Sequence, residues 1–223
     1  MVDLFLSMDD VIESSKLITQ HLSQTKKSTF RSRIRNLELE LLENVAKVSY
    51  GLGQPPEKDD DGVAVIRATD IKSGHINDDA FLKVNRAEIP PGKNVELTRG
   101  DIIIVRSGAY TGDLAMIPSH LEGCIAGYDL VIRPDRNKVD PIFLAEYLLD
   151  DAAQAYFKRE SIRSAQPHLN SKQVLKTKKP KLEISVQSEI AKELTAFYSL
   201  IESANSKTTK SIELKRNIIN QVF

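Results

Sequence analysis

The sequence predicts an α+β protein: a mixed α/β domain flanked by long N- and C-terminal helices that form an antiparallel, coiled-coil-like spacer. The first observation is an internal repeat. Residues 11–34 (VIESSKLITQHLSQTKKSTFRSRI) align without a gap on residues 200–223 (LIESANSKTTKSIELKRNIINQVF). Ile12 falls on Ile201, Glu13 on Glu202, Ser14 on Ser203, Thr19 on Thr208 and Lys26 on Lys215. Neither copy contains Pro or Gly, so both can be helical. The second observation is a seam through the last helix. Ile190, Leu194, Phe197, Ile201, Ala204, Thr208, Ser211, Lys215, Ile218 and Val222 alternate steps of four and three, the spacing of heptads. The third is that a different, glycine-rich segment of short β-branched runs lies between the copies.

The pattern divides the chain into residues 1–36, 37–181 and 182–223. Ser7 suits an N-cap for the first helix, with Asp9 and Asp10 beside the positive end of its dipole. Its apolar stripe reads Met8, Val11, Ile12, Ser15, Ile18 and Leu22. Ile12, Ile18 and Leu22 are expected to pair with Ile190, Leu194, Phe197 and Ile201. Residues 37–48 alternate like a strand and then read like a short amphipathic turn. Gly51, Gly53, Pro55, Pro56 and the acidic residues 57–61 form a loop. Strands are expected at 63–66, 81–84, 102–105, 114–117 and 130–132, and the Ile-Ile-Ile-Val run at 102–105 reads as fully buried. Pro141 at the first position opens a helix running to about Glu160, with Phe143, Leu144, Tyr147 and Leu148 on its apolar face. Residues 161–181 are polar, basic and irregular, and the last helix starts near Gln187.

Composition excludes several classes. Lys+Arg and Asp+Glu both number 31, so no global charge points to a nucleic acid. The distribution does. Residues 158–181 carry eight basic residues against Glu160 alone, and residues 16–35 carry six with no acid. Such clusters suit phosphates or plain solvation. Cys124 is the one cysteine, which rules out an intramolecular disulfide and fits a reducing cytoplasm. No apolar run is long enough to span a bilayer, and the acidic start is unlike a signal peptide. Gly51-Leu-Gly53 lacks a dinucleotide-loop context, and no phosphate-binding loop is present. His21, His75, His120 and His168 lack metal-ligand spacing. No catalytic residue, metal or cofactor is expected.

Two loops can meet a ligand. Residues 161–170 (SIRSAQPHLN) offer paired donors and acceptors of the kind that read base edges, with cations around them. Residues 107–112 (SGAYTG) can bring backbone close to a ligand or simply make a tight turn. Arg163, Gln166 and His168 are the expected base contacts, with Ser164 beside them. Lys172, Lys176, Lys178 and Lys179 are the expected backbone contacts. Arg67, Lys72, Ser107, Tyr110 and Thr111 complete the expected DNA face.

In order, five blocks resemble the target-recognition domain of type I restriction-modification specificity subunits. They are Leu42–Gly51 (LENVAKVSYG), Val65–Gly74 (VIRATDIKSG), Gly100–Gly112 (GDIIIVRSGAYTG), the turn around Gln166, and Pro180–Ala191 (PKLEISVQSEIA). Such subunits alternate two recognition domains with two conserved helices. This chain, as helix, domain, helix, resembles half of one. The resemblance implies a noncatalytic module that reads one half of a bipartite DNA site and directs methyltransferase and restriction subunits to it. The Asn/Asp-Pro-Pro-Tyr/Phe motif of adenine methyltransferases is absent, so that chemistry is expected in partners. Two chains related by a two-fold axis, or one chain and a second half-subunit, would read a two-part site. Alternatives are the recognition fragment of a fused DNA methyltransferase or nuclease, and a DNA-independent helical dimer scaffold.

Overall fold

The computed structural model describes residues 2–162 and 167–222. Its helices are α1 (Val2–Arg33), α2 (Pro141–Leu149), α3 (Asp151–Ser161), α4 (Ser171–Leu175) and α5 (Ile184–Val222). Its strands are β1 (Leu39–Leu41), β2 (Ala46–Tyr50), β3 (Lys58–Ile66), β4 (Ile71–Lys72), β5 (His75–Ile76), β6 (Leu82–Val84), β7 (Ile102–Ile104), β8 (Leu114–Met116), β9 (Ile125–Ala126), β10 (Leu130–Pro134) and β11 (Lys178–Pro180). The chain divides into a helical unit, residues 1–36 with 189–223, and a central unit, residues 37–188.

In the helical unit α1 and α5 run antiparallel. Lys215 Nζ donates to the Asp9 carboxylate at 2.5 Å, Thr19 Oγ1 to Asn205 Oδ1 at 3.1 Å, and Lys26 Nζ to Tyr198 Oη at 3.2 Å. Ten residues along α1 are thus matched by ten back along α5, and the next seven by seven. Lys26 and Lys215 are equivalent in the repeat, and each bridges the pair at the equivalent place. That is what an approximate two-fold relation between two copies of one helix requires. Arg33 adds an ion pair to Glu193 at 3.1 Å.

On α1 the covered stripe is Met8, Ile12, Ser15, Thr19, Leu22, Lys26 and Thr29, again in steps of four and three, with Phe30 buried beside it. Ile18 is not on it: that side chain is 52% exposed and Val11 is 42% exposed. The expected stripe mixed two neighbouring faces, and the register takes the polar Thr19 where Ile18 was expected. On α5 Ile190 and Leu194 are buried, and Phe197, Ile201, Ala204, Thr208, Ser211, Lys215 and Ile218 are half-buried. α1 also begins before Ser7, which lies inside the helix and does not cap it. Among the described residues no helix is long and apolar enough to cross a membrane.

The central unit is built on an antiparallel sheet of order β2-β10-β7-β8. β7 is wholly buried, as its unbroken β-branched run demands. A second sheet, β6-β3-β9, pairs β3 antiparallel to β6 and parallel to β9. Ile66, Ile103, Val105, Ala115, Ala126 and Val131 share one core cluster; Leu52, Val65, Val84, Val95 and Ile125 form another. The backbone after β2 passes close to the segment between β9 and β10 at Gly51. A Cβ there would stand 2.1 Å from the Gly127 carbonyl oxygen, so only glycine fits.

Three expectations are corrected. Of the acidic stretch, Asp59, Asp60 and Asp61 are not loop but lie with Lys58 in the bulged start of β3, where the register against Val84 shifts between Lys58 and Val63. The helix expected from Pro141 to Glu160 breaks at Asp150. That residue is extended (ψ 153°), ends α2, and caps α3 by accepting from Ala152 N. The stretch 161–181 is not irregular throughout. It holds α4, closed by a reciprocal Asn170–Gln173 capping box, and β11, which pairs with β1 from Leu39–Pro180 to Leu41–Lys178.

If the helices pair as described, Ile12→Ala should cost about 2–5 kcal/mol of stability, the usual cost of emptying a buried Ile site. Ile18→Ala should change stability by less than about 0.5 kcal/mol, as at ordinary surface sites. Urea denaturation of both variants checks this, and equal effects would place the seam elsewhere.

Candidate nucleic-acid interface

The end of β7 carries the centre of the candidate site. Buried strand residues lead to Arg106, the first half-buried side chain. The buried Asp129 carboxylate accepts from Arg106 N at 3.1 Å and so holds the backbone. Burial pushes the Asp129 carboxyl above the ordinary carboxylate range, against the pull of the Arg106 N–H and charge. The Arg106 guanidinium lies 4.2 Å from the Tyr128 ring centroid and 4.9 Å from that of Tyr50. Cation–π attraction therefore holds it against two half-exposed tyrosines. Its Nε is buried without a hydrogen-bond partner. Ser171 N and Oγ approach Tyr50 Oη at 3.4 and 3.5 Å. The Ser171 hydroxyl is the main cause of a lowered Tyr50 pKa, aided by the charges of Arg106 and Lys172.

The segment after Pro167 lies along β7's extension. Leu169 N donates to Arg106 O at 2.8 Å, and Ser107 and His168 form an antiparallel bridge. Arg106 Nη2 stands 3.3 Å from His168 Nε2, and Ser107 Oγ 2.7 Å from His168 Nδ1. A guanidinium can only donate, so Nε2 is the acceptor and Nδ1 carries the proton. The imidazole then donates to Ser107 and cannot act as its base. The pair is not an activated nucleophile. Desolvation, and then the Arg106 charge, hold the His168 pKa below its ordinary 6.5. The Cys124 thiol is likewise pushed up by burial, away from reactivity. Among the described residues no group of three or more His, Cys, Asp or Glu side chains could hold a metal ion.

The expected site residues distribute unevenly. Ser107, His168 and Lys172 gather around Arg106. Arg67 lines, with Ser107, Tyr128 and Asp129, a cavity of about 320 Å³. Its guanidinium donates to both Asp70 oxygens at 3.2 and 3.3 Å, so its charge is largely spent. The 107–112 loop is a tight turn, with Gly108 and Gly112 at φ +91° and +95°. Thr111 Oγ1 donates to Gly108 O at 2.6 Å, and Tyr110 is exposed. Lys72 is exposed on β4, whose turn is anchored by Ser73 N donating to Asp113 at 2.9 Å. Lys176 and Lys178 are exposed, Lys178 on β11, which pairs with β1 rather than with elements of the cluster.

Two expectations need correction. Lys179 is no surface cation. It is fully buried, with Nζ 2.8 Å from Glu40 and 2.9 Å from Pro180 O. His168 has both ring nitrogens engaged within the chain, leaving neither for a base edge. Arg163, Ser164 and Gln166 lie outside the described residues. Sequence reasoning missed Arg106, Tyr50, Tyr128 and Asp129. The available signal was Arg106 itself, a lone cation directly after a buried apolar run.

The family model for the type I restriction modification DNA specificity domain matches residues 42–214. The chain belongs to that family. Over 174 residues it is 22% identical to the Escherichia coli type I restriction enzyme EcoBI specificity subunit, covering 78% of this chain and 36% of that protein. The fold matches an HsdS subunit from Thermoanaerobacter tengcongensis with TM-score 0.64 at 14% identity, over 99% of this chain and 55% of that one. It matches a type I restriction-modification S subunit from M. genitalium with TM-score 0.59 at 11% identity, over 98% and 56%. The chain thus spans about a third of the curated relative and just over half of the solved ones.

The tautomer argument predicts that His168 titrates below 6.5 by NMR, and that Arg106→Leu moves it part of the way back. Between the depressed folded pKa and the unfolded one, the folded chain binds fewer protons, so stability should fall as pH drops below about 6.5. An ordinary titration would remove the Arg106–His168 bond. Lys179→Ala should behave as a stability variant. Loss of one partner of a buried pair costs about 3 kcal/mol or more. A melt that matches the wild type would return Lys179 to the surface.

Proposed function

We propose that the chain is a noncatalytic, sequence-specific DNA-recognition module of a type I restriction-modification system. The observation that carries this reading is the family match over residues 42–214, which takes in every residue of the Arg106 cluster. The central unit reads one half of a bipartite site. The paired helices act as the coiled-coil-like spacer and docking surface for a methyltransferase subunit, and through it for a restriction subunit. Methyl transfer and cleavage lie in those partners, in keeping with the match to specificity subunits. Two chains, or this chain and a second half-subunit, pair about a two-fold axis to read both halves, as symmetric protein reads symmetric DNA.

The charge pattern supports a division of roles. Among the described residues Lys72, Lys172, Lys176 and Lys178 are exposed and make no ion pair with a carboxylate. Long, solvated ammonium groups suit phosphates, whose neutralisation releases counterions. Tyr110 and Thr111 at the tip of the β7–β8 turn, with Ser107, Arg67 and the 163–166 segment, complete the proposed face.

Binding of the purified chain to duplex DNA should weaken steeply with salt. Lys172→Ala should weaken all sequences alike and flatten the log–log salt slope by about one unit. Fluorescence anisotropy over a salt series measures both. A slope that stays unchanged in the variant would move the phosphate track away from α4.

A further inference from the structure

We propose that Arg106, packed against Tyr50 and Tyr128, selects a guanine through its base edge in the major groove. This rests on the DNA-recognition reading and deepens it by naming the residue and the base.

The guanidinium carries five N–H bonds. The Nε N–H is buried without an acceptor, and one Nη2 N–H goes to His168. The remaining Nη donors have no hydrogen-bond partner among the described residues. No carboxylate among those residues lies within 4.0 Å, whereas Arg67, Arg86 and Arg133 each have one. Among the described residues, Arg106 therefore keeps its charge and its further Nη donors available to a ligand.

Geometry narrows what that partner is. The Tyr128 and Tyr50 rings pack against the guanidinium, with centroids 4.2 and 4.9 Å from its carbon, and leave its N–H edge as the route to a ligand. Asp129 pins the backbone, and the neutral His168 ring pins one end of the plane. A fixed in-plane fork of donors matches two acceptors side by side. Guanine presents N7 and O6 in the major groove, whereas adenine sets an N6 donor beside N7 and would face donor with donor. A phosphate also accepts two donors, but it accepts them equally from mobile cations, and the exposed Lys172 already lies close enough to act on Tyr50. Holding the guanidinium in place removes the rotamer freedom that a phosphate contact tolerates and a base contact cannot.

The test uses the intact chain in binding selection from a randomised duplex library, with wild type, Arg106→Gln and Arg106→Lys side by side. The wild type should enrich a motif containing guanine at one position. Arg106→Gln should lose preference at that position alone, and Arg106→Lys, a point cation in place of the fork, should weaken it. Their affinity for the selected site should fall between about 5- and 150-fold, the span of one bidentate base contact. Replacing that guanine by 7-deazaguanine should weaken the wild type and leave Arg106→Gln unaffected, a control that needs no variant to fold. Tyr128→Phe should keep the preference and Tyr128→Ala should blur it, as befits a positioning residue. If both variants keep the motif and lose affinity equally on every duplex, Arg106 binds phosphate and the inference falls. If the variants match wild type throughout, it falls as well. If the wild type enriches no motif, the DNA-recognition reading itself fails.

Discussion

A buried carboxylate organises the central unit. Removing an ion from water costs several kcal/mol unless donors replace the lost hydration. Asp129 is 2% exposed and recovers donors from the backbone N–H groups of Arg106 and Ala68. Its own carbonyl accepts from Gly51 N at 2.9 Å. One residue thus ties the exit of β2, the exit of β7 and the turn after β3 to a single point. The requirement for glycine at 51, and the placing of Tyr50, Arg106 and Tyr128 around one another, follow from that convergence.

The surface around this point combines two kinds of cation. Arg106 is immobilised by rings, a histidine and a fixed backbone. The exposed lysines of α4 and the adjoining segment are free to follow whatever backbone lies nearby. Rigid groups discriminate, because a misplaced partner leaves their donors unmatched; flexible ones attract without discriminating. Sequence specificity and general affinity can therefore reside in different residues of one face.

Much of the architecture was legible from the chain. The buried run at 102–105, the strands at 114 and 130, and the heptad spacing of α5 all show periods that physical burial imposes. What stayed hidden was set by tertiary contact. A five-residue helix and a three-residue strand are too short to show a period, so α4 and β11 read as irregular. Asp150 gave no more signal than any helical aspartate, though it splits one helix into two. Ile18 outranks Thr19 in apolar character, yet the register of α1 on α5 decides which faces inward. At the site, the density of lysines near 172–181 was plain. That Lys179 turns inward to Glu40 depends on the pairing of β11 with β1, which no sequence period announced. Arg106 was passed over because its significance comes from Tyr50 and Tyr128, which lie more than 20 positions from it in either direction.

The pairing of β1 with β11 has a consequence for how such chains can change. Leu39 and Pro180 are neighbours across a ladder, so the central unit leaves the chain where it began. Domains with adjacent ends can be inserted or replaced with little disturbance of what flanks them. The unit is in effect a cassette. Recombination at its two borders could exchange the central unit for another while α1 and α5 keep their own seam, so the helices need not change with it.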